Sequence, residues 1–442
     1  MSTIAQISTP LGSGGIAIVR ISGESALEIG RSLFYCKKLQ NSDILPRMLY
    51  LGDFELDDAT EKCMMVYFKA PYSFTGEDVV EFQIHGGEYL AAKVLDKILE
   101  KGAVLAENGE FSKRAFLNGK MSLDEAEATI DMIMSTSDAQ LKASSKLAHG
   151  NLYKTVKEIQ DNIKDSLASL EVTLDYPEHD DEQTSIDDVK TVLTNALDRL
   201  QKLQDTFSEG EKIRFGIDVA IVGKPNVGKS SLLNALIGED RAIVTNIKGT
   251  TRDTLKETIN YQGLKINFID TAGIRDSDDA VEKIGVQKSI QSIEESDIIL
   301  FVLDSSEDMD KEDKELEKLL KDKKVIYVLN KSDKKNKLQL PNGLYVSAMN
   351  GENIEKILDE ILKRTRMDKI DYSQLYITNK RHYEALKSAI NSIKQVLEEK
   401  IFTTDIIDMQ IKKIWQKLGE ITGETANEAI IDEIFSKFCL GK

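Results

Sequence analysis

The chain has 442 residues, of which 41% are hydrophobic and 30% are charged, and its formal net charge is −17. This length exceeds what one hydrophobic core usually serves, so two or three domains are expected. The acidic balance argues against a protein that wraps nucleic acid with a basic surface, because counterion release drives that kind of binding. Any RNA contact is therefore expected to be a local patch or to be shared with a partner.

Cysteine usage and the N-terminus indicate a cytoplasmic protein. The three cysteines, Cys36, Cys63 and Cys439, are widely separated, which fits a reducing compartment and gives neither a disulfide frame nor a zinc spacing. The first ten residues lack the basic head and apolar core of a signal peptide. No apolar run reaches the length of a membrane span, so we expect no membrane partner.

The first 118 residues predict a mixed α and β structure. The β-rich runs are 14–23, 63–68 and 79–85, and the segments 24–34 and 88–101 are predicted to be helical.

Helical periodicity begins after this region. Ser122 and Glu125 form a predicted capping box. An apolar stripe at steps of three and four then predicts a long helix that stops at Tyr176-Pro177, before an acidic loop. The members of this stripe are Leu152, Val156, Ile159, Ile163, Leu167, Leu170 and Leu174. A further apolar stripe from Val189 predicts a second helix that ends near Gly210.

Residues 213–368 alternate short β-rich runs with helices, which is typical of a doubly wound α/β unit. Helical periodicity returns afterwards in 380–400, 405–418 and 424–438, with Trp415 on an apolar face. Helical pieces on both sides indicate that the α/β unit is inserted into one helical domain, because each piece alone would expose an apolar stripe. Two independent small bundles are the alternative.

A phosphate-binding loop is predicted between an apolar strand and the start of a helix. Gly223, Gly228, Lys229 and Ser230 fit the G-x-x-x-x-G-K-S spacing. Glycines let the backbone curl around a phosphate, which then meets N–H groups at a helix N-terminus. We expect Lys229 to reach the β- and γ-phosphates and the Ser230 hydroxyl to bind Mg²⁺.

A second motif follows the apolar run 264–270, which ends in Asp270-Thr271-Ala272-Gly273. Asp270 is expected to hold Mg²⁺ through water, and the Gly273 amide to sense the γ-phosphate. Between the two motifs, Gly249-Thr250-Thr251 carries a Thr hydroxyl that is expected to complete the magnesium shell only with GTP, which makes the segment a switch.

A third motif indicates which nucleotide base the domain binds. The run 325–330 delivers Asn330-Lys331-Ser332-Asp333, and the two Asp333 oxygens match the N–H and amino group of guanine, whereas adenine offers no matching pair. The backbone amides of Ser347-Ala348 are expected to meet the guanine carbonyl oxygen. Together the three motifs predict a GTP-binding domain.

The residue that orients the attacking water is left open by the motifs. Ras-like enzymes use a glutamine directly after the DxxG glycine, but this chain has Ile274 there. Arg275, Asp276 and Glu282 are candidates in the following segment.

These runs resemble one family, the MnmE (TrmE) tRNA-modification GTPases. The matching runs are GGIAIVRISG (14–23), SFTGEDVVEFQIHGG (73–87), GEFSKRAFLNGK (109–120), the GTPase core with GTTRDT, DTAGIR and VEKIG, ITGE (421–424) and FCLGK (438–442). The resemblance implies an α/β multidomain fold with an N-terminal α+β folate-binding domain, an all-α helical domain and an inserted Ras-like P-loop GTPase domain. The implied bounds are 1–118 for the folate-binding and dimerisation domain, 119–212 and 371–442 for the two helical parts, and 213–370 for the G domain.

The resemblance also completes the nucleotide site. It implies that Asn226, Thr245, Ile247 and Thr250 bind K⁺ in place of an arginine finger, and that Ser230 and Thr251 bind Mg²⁺. It assigns the water-positioning role to Glu282, beside Lys229 as the other catalytic residue. The expected GTP-binding residues are Asn226, Val227, Gly228, Lys229, Ser230, Ser231, Thr245, Asn246, Ile247, Lys248, Gly249, Thr250, Thr251, Asp270, Thr271, Ala272, Gly273, Asn330, Lys331, Asp333, Ser347 and Ala348.

For the N-terminal domain, the resemblance implies that Arg20, Glu81, Lys120 and Lys442 surround a methylene- or formyl-tetrahydrofolate. Without the family, Arg20 and Glu81 read as ordinary strand residues. Cys439 matches the family's C-terminal cysteine, either as a reactive thiol or as a packing residue.

The activity implied is modification of tRNA by a homodimer that works with the flavoprotein MnmG (GidA), which supplies FAD and NADH. Together they add an aminomethyl or carboxymethylaminomethyl group to C5 of the wobble uridine. The alternative class is a ribosome-assembly or regulatory GTPase, but the sequence shows no second phosphate loop and no RNA-binding GXXG module.

Overall fold

The structure is a computed structural model. It describes residues 1–39, 43–175, 182–241, 256–270, 293–398, 404–438 and 441. The chain divides into two compact units. The first comprises Met1–Ile130, Leu147–Ala196 and Ser388–Lys442, and the second comprises Asp131–Lys146 and Leu197–Lys387.

A seven-stranded sheet forms the N-terminal part of the first unit. Its strands are β1 (Ile4–Ile7), β2 (Ile16–Ser22), β3 (Phe34–Tyr35), β4 (Leu49–Glu55), β5 (Thr60–Phe68), β6 (Val79–His85) and β7 (Val104–Leu105). Their order is β3-β4-β5-β6-β2-β1-β7, and neighbouring strands are antiparallel except β1 and β7.

The two faces of this sheet differ in burial. On one face, α1 (Ala26–Leu33) and α2 (Glu88–Glu100) cover a core that contains Phe54 and Phe82. Since side chains alternate along a strand, Leu49 and Leu51 of β4 point to the opposite face, where both are exposed.

Helices belong to both units and are numbered here in chain order. They are α3 (Glu110–Leu117), α4 (Leu123–Ile133), α5 (Asp138–Ala148), α6 (Asn151–Asp175), α7 (Glu182–Asp205), α8 (Phe207–Phe215), α9 (Lys229–Arg241), α10 (Lys311–Leu319), α11 (Ile354–Thr365), α12 (Lys380–Glu398), α13 (Thr404–Thr422) and α14 (Glu428–Ser436).

The predicted start of α4 is confirmed. The Ser122 N–H donates to Glu125 Oε2 at 2.7 Å, and the Glu125 N–H donates to Ser122 Oγ at 3.4 Å. These two reciprocal bonds satisfy N–H groups that the first turn of the helix leaves without an intrahelical acceptor.

The helical segments before and after the α/β unit pack together, as predicted. Helix α6 lies against α13, where Gln160 Nε2 donates to the Trp415 carbonyl at 3.1 Å. Lys157 Nζ also lies 2.8 Å from Glu424 Oε1. The alternative of two independent bundles is therefore wrong for these helices. The stripe residues Leu167, Leu170 and Leu174 have side chains outside the described part.

The second unit contains a six-stranded sheet, with β8 (Ile217–Val222), β9 (Lys256–Tyr261), β10 (Leu264–Asp270), β11 (Ile298–Asp304), β12 (Val325–Asn330) and β13 (Leu344–Tyr345). Their order is β13-β12-β11-β8-β10-β9, parallel throughout except for the antiparallel pair β9 and β10. Chain order reverses at β8, and in such sheets ligands bind beyond the carboxyl ends of the strands at that switch point. The predicted combination of α+β, all-α and doubly wound α/β parts is confirmed.

One predicted helix end is wrong. The helix expected to end near Gly210 ends at Asp205, and Gly210 lies inside the next helix, α8. A Cβ at Gly210 would lie 2.1 Å from the Ile377 carbonyl oxygen. The glycine therefore permits close packing and does not end the helix.

Across the described segments, no helix combines the length and apolar character needed to cross a membrane.

Candidate functional sites

The loop after β8 curls tightly because its glycines meet backbone and side-chain atoms closely. A Cβ on Gly223 would lie 2.4 Å from the Val302 carbonyl oxygen, and one on Gly228 would lie 2.3 Å from Asn330 Nδ2. Asn226, at φ +66°, is in the left-handed region that asparagine tolerates better than most residues. The conformation of the loop therefore depends on these residues, because a larger side chain at either glycine would clash and most residues at position 226 would be strained.

Lys229 opens α9 and folds back over this loop. Its Nζ donates to the carbonyl oxygens of Gly223 and Lys224, each at 2.9 Å. Ser230 and Ser231 follow in the first turn of the helix and are exposed. The Lys229 ammonium group and the two exposed serines therefore lie next to the predicted phosphate loop.

Asn330, at the end of β12, joins two of the predicted motifs to the phosphate loop. It is 2% exposed, its Nδ2 donates to the Val227 carbonyl at 2.9 Å, and its Oδ1 accepts from the Ala348 N–H at 3.1 Å. Three segments distant in sequence therefore meet at one amide side chain.

Lys331 provides a second link to the phosphate loop. Its Nζ lies 2.7 Å from the Asn226 carbonyl oxygen and 2.7 Å from Asp304 Oδ2. Burial raises the pKa of the Asp304 carboxyl, but hydrogen bonds from Lys331 and Ser306 outweigh it and hold that pKa at about 2. Asp304 is therefore ionised at neutral pH and fixes the lysine. No local pattern in the sequence predicts the role of Asp304, because its contact with Lys331 joins the ends of two neighbouring strands.

Asp333 is oriented by Ser347, which belongs to the second segment predicted to contact the guanine base. Its Oδ1 accepts from the Ser347 hydroxyl at 2.6 Å, and this bond lowers the pKa of Asp333. The Ser347 N–H donates to the Glu352 carbonyl at 3.2 Å. The carboxyl group is thus kept ionised, and an ionised carboxylate only accepts hydrogen bonds. By its chemistry it can accept further hydrogen bonds at Oδ2 and at the second lone pair of Oδ1.

The structure brings these residues to one edge of the second sheet. Asp270 ends β10 beside Ile221 of β8, so its backbone lies next to the loop, although its side chain is outside the described part. The other switch and catalytic predictions lie wholly outside the described residues: Thr245, Asn246, Ile247, Lys248, Gly249, Thr250, Thr251, Thr271, Ala272, Gly273, Ile274, Arg275, Asp276 and Glu282.

In the N-terminal sheet, Arg20 and Glu81 face each other across β2 and β6. Arg20 Nε lies 2.7 Å from Glu81 Oε1, and both side chains are largely buried. The Arg20 guanidinium also lies 5.5 Å from the Phe74 ring centroid and 5.6 Å from that of Phe111. A guanidinium has five donors and a carboxylate two acceptor oxygens, so this pair retains capacity for a polar ligand.

A second ion network involves Ser22 of the same strand, β2, and is not among the residues that the sequence predicts. Arg114 is 4% exposed, and its guanidinium contacts Glu77 at 3.1 Å and Glu110 at 2.8 Å. Ser22, which ends β2, donates its hydroxyl to Glu77 at 2.7 Å. The network ties β2 to α3. Helical spacing between Glu110 and Arg114 was the available signal.

The remaining predicted folate residues are only partly placed. The aliphatic stem of Lys120 lies beside Gly76, where a Cβ would be 3.1 Å from Lys120 Cε. Gly441 approaches the end of β1, since a Cβ there would be 2.1 Å from the Ile7 carbonyl oxygen. Cys439 and Lys442 are outside the described residues.

Comparison with known proteins adds family evidence to this geometry. A family model described as the MnmE helical domain matches residues 123–439, and one described as the GTP-binding protein TrmE N-terminus matches residues 3–120. The tRNA modification GTPase MnmE of Clostridioides difficile (strain 630) is 42% identical over 456 residues, covering 100% of this chain and 99% of the relative. That of Streptococcus agalactiae serotype Ia is 41% identical over 454 residues, covering 100% and 98%.

Among solved structures, a variant of Aquifex aeolicus Era bound to GDP.AlF4- is 30% identical, covers 41% of this chain and 68% of its own, and has a TM-score of 0.28. Full-length identity above 40% and two family models that together span nearly the whole sequence settle the relationship. The chain therefore belongs to the MnmE (TrmE) family, and it is a GTP-hydrolysing protein of tRNA modification.

Proposed function

We propose that this protein, as a homodimer and with the flavoprotein MnmG (GidA), adds an aminomethyl or carboxymethylaminomethyl group to C5 of the wobble uridine of certain tRNAs. The one-carbon unit comes from a tetrahydrofolate derivative, and FAD and NADH act through the partner. The observation that carries the proposal is the coexistence, in one chain, of the nucleotide constellation around Asn330 and the Arg20–Glu81 pair.

GTP binds at the carboxyl edge of the second sheet in this proposal. Lys229 and the loop amides bind the phosphates, and Asp333 selects guanine. Support comes from the hydrogen bonds that join the phosphate loop to both base motifs through Asn330 and Lys331. A site assembled from three sequence-distant segments is expected to bind a ligand that spans all of them.

Mg²⁺ and K⁺ are the metal ions of this site in the proposal. The Ser230 hydroxyl, exposed at the start of α9, and Thr251 hold Mg²⁺, which prefers oxygen ligands. Asn226, exposed and at φ +66°, presents a side-chain amide oxygen toward K⁺ with Thr245, Ile247 and Thr250. When bound, these cations supply positive charge to the phosphates, while Glu282 positions the water.

The folate binds around Arg20 and Glu81. The Glu81 carboxylate accepts two hydrogen bonds from the amino-pyrimidinone edge of the pterin, much as Asp333 accepts them from guanine. Lys120 and Lys442 complete the site. Support comes from the largely buried pair, the Phe74 and Phe111 rings beside it, and the approach of Gly441 to β1.

A second copy of the chain covers the exposed face of the N-terminal sheet in this proposal. Leu49 and Leu51 on β4 and Met64 on β5 are 53%, 60% and 41% exposed, and Leu51 pairs directly with Met64. Strand pairing places Glu81 and Arg20 on the same face as Leu49, through Val66. Contiguous exposed apolar side chains of this kind mark association surfaces.

Nucleoside analysis of tRNA from a deletion strain tests the whole proposal. We expect loss of the C5 side chain from the wobble uridine, and restoration by a plasmid copy of the gene. Unchanged wobble-uridine modification contradicts the proposal and favours a GTPase that acts only by nucleotide-gated binding.

A further inference from the structure

Lys224, in the phosphate loop, has a side chain that leaves the loop and contacts the start of α10. Its Nζ lies 2.9 Å from Asp310 Oδ2, 3.1 Å from Asp313 Oδ2 and 3.8 Å from Glu307 Oε2. The Lys224 side chain is only 14% exposed and that of Asp313 only 3%. The Lys224–Asp313 pair is thus largely shielded from water, unlike ordinary surface pairs, which contribute little, whereas Asp310 is 51% and Glu307 62% exposed.

The two aspartates are themselves fixed by a capping box. The Asp313 N–H donates to Asp310 Oδ1 at 3.0 Å, and the Asp310 N–H donates to Asp313 Oδ2 at 3.2 Å. Since both carboxylates are locked onto the backbone of the first turn, their positions follow the position of α10. Lys224 is therefore tied to the capped N-terminus of α10.

The backbone of Lys224 faces the other way, toward Lys229. The Lys224 and Gly223 carbonyl oxygens both accept from Lys229 Nζ at 2.9 Å. Gly223 is confined on its far side by the Val302 carbonyl, which a Cβ would approach to 2.4 Å. The Gly223–Lys224 segment accepts both hydrogen bonds from the Lys229 ammonium. It packs against β11 on one side and is anchored by the Lys224 side chain on the other.

We propose that Lys224 is a positioning residue for GTP binding and hydrolysis, which anchors the peptide that orients Lys229 to the capped end of α10. The inference rests on the proposed phosphate-binding role of Lys229. Lys224 itself does not contact the nucleotide. It limits the movement of the carbonyl groups against which the Lys229 ammonium rests, and so fixes where the ammonium meets the phosphates.

Lys224→Met in the full chain tests the proposal, with a fluorescent GTP analogue for affinity and steady-state hydrolysis in potassium buffer for turnover. We expect kcat/KM to fall by about tenfold to a hundredfold, because small misplacements of a substrate-contacting group are costly. Lys224→Arg should restore most of it, since a guanidinium can reach both carboxylates. Lys311→Met is the matched control: Lys311 is 93% exposed at the start of the same helix.

Asp310→Asn approaches the same ion pair from its other side. The amide keeps an oxygen for the helix cap but loses the charge that holds Lys224. If Lys224 acts through the aspartates, the effects of Lys224→Met and Asp310→Asn on kcat/KM should be clearly less than additive. Full additivity overturns the proposal, as does a Lys224→Met enzyme with wild-type kcat/KM.

Lys229→Ala separates this inference from the assignment on which it rests. If Lys229→Ala abolishes GTP binding while Lys224→Met keeps both the GTP affinity and the kcat/KM of the wild type, only the role of Lys224 is wrong. If Lys229→Ala also binds GTP normally, the proposed phosphate role of Lys229 fails first. A loss of activity in Lys224→Met that Lys224→Arg does not restore, with a lowered melting temperature, assigns Lys224 a structural role and overturns the proposal.

Discussion

At Asp333, the hydrogen bond from Ser347 holds the carboxylate in the form that its proposed role, the recognition of guanine, requires. The bond is 2.6 Å long and lowers the pKa of Asp333, so the group remains an acceptor at neutral pH. Guanine offers two adjacent donors to such a group. An asparagine at this position would place its own N–H₂ group opposite one of those donors, and two donors that face each other repel.

Asp333→Asn is therefore expected to weaken GTP binding by about a hundredfold, since a lost hydrogen bond to a charged group costs about 1.5–3 kcal/mol. Xanthosine triphosphate, which carries a carbonyl in place of the guanine amino group, should bind the variant better than GTP. Equilibrium titration with both nucleotides measures this exchange of preference. A variant that binds both weakly has lost the loop geometry, and wild-type affinity for GTP contradicts the role given to Asp333.

At Asn226, the left-handed backbone and the side-chain amide have different proposed roles, which one substitution separates. Asn226→Gly keeps the left-handed backbone, which glycine adopts freely, but removes the amide oxygen proposed for K⁺. We expect the wild-type protein to hydrolyse GTP at least about tenfold faster in potassium than in sodium, through electrostatic stabilisation, and the variant to lose this difference.

Asn353→Gly is the control, because Asn353 has φ +59° but lies at the start of α11. Its potassium dependence should match the wild type. Equal wild-type rates in the two salts would count against the potassium site as a whole.

Glu81 is the residue on which the folate proposal depends most. Glu81→Gln keeps one oxygen for Arg20 but places an N–H₂ group where the pterin donates, so affinity for 5-formyl-tetrahydrofolate should fall by about tenfold to a hundredfold. Isothermal titration calorimetry of the full chain measures this. Glu55→Gln, at an exposed position of the same sheet, is the control. Unchanged affinity in Glu81→Gln places the folate elsewhere.

The sequence predicts residues whose roles are local, and misses those that depend on long-range pairing. Gly223, Gly228 and Lys229 were found because a phosphate loop is one continuous segment. The pairs Asp304–Lys331 and Arg114–Glu77 are not predicted, because their members lie at the ends of neighbouring strands or on different elements. Strand pairing brings such groups together, and the spacing within one segment does not reveal it.

At the scale of elements, two differences between prediction and structure lie at glycines. The sequence patterns do not predict strand β4, because Gly52 and Asp53 directly follow its apolar residues 49–51 and interrupt the run. A Cβ on Gly52 would lie 2.3 Å from the Tyr35 carbonyl oxygen, so the glycine marks the close approach of β3 and not a break in the strand.

Gly210 gives a test of the same principle in a helix. Glycine to alanine inside a helix usually stabilises by about 0.5–1 kcal/mol. Here Gly210→Ala should destabilise the local structure by about 1–3 kcal/mol, because the methyl group meets the Ile377 carbonyl. The Ile377 N–H also donates to Thr206 Oγ1 at 3.0 Å, so the two segments cannot separate freely.

Hydrogen exchange of the backbone amides of α8 measures this change. Exchange should become faster in Gly210→Ala and remain unchanged in Glu211→Ala, which alters an exposed position of the same helix. Slower exchange in Gly210→Ala would show that helix propensity outweighs packing at this position.

At the scale of the whole molecule, the proposed homodimer depends on the face of the N-terminal sheet that α1 and α2 do not cover. Leu49, Leu51 and Met64 are exposed there on adjacent strands, on the same face as the Arg20–Glu81 pair. A carboxylate inserted among apolar side chains at a packed interface must be desolvated without a partner, which is costly.

Leu51→Glu should therefore shift the protein from dimer to monomer, as measured by light scattering after gel filtration at a fixed protein concentration. Its free sheet should remain folded, because the Leu51 side chain is 60% exposed within one chain. Leu319→Glu makes the same chemical change at an exposed leucine of α10, on the other unit, and should leave the dimer intact. If Leu51→Glu still elutes as a dimer, association uses another surface. If it becomes monomeric and also loses folate binding while Leu319→Glu keeps it, the shared face joins dimerisation to the folate site.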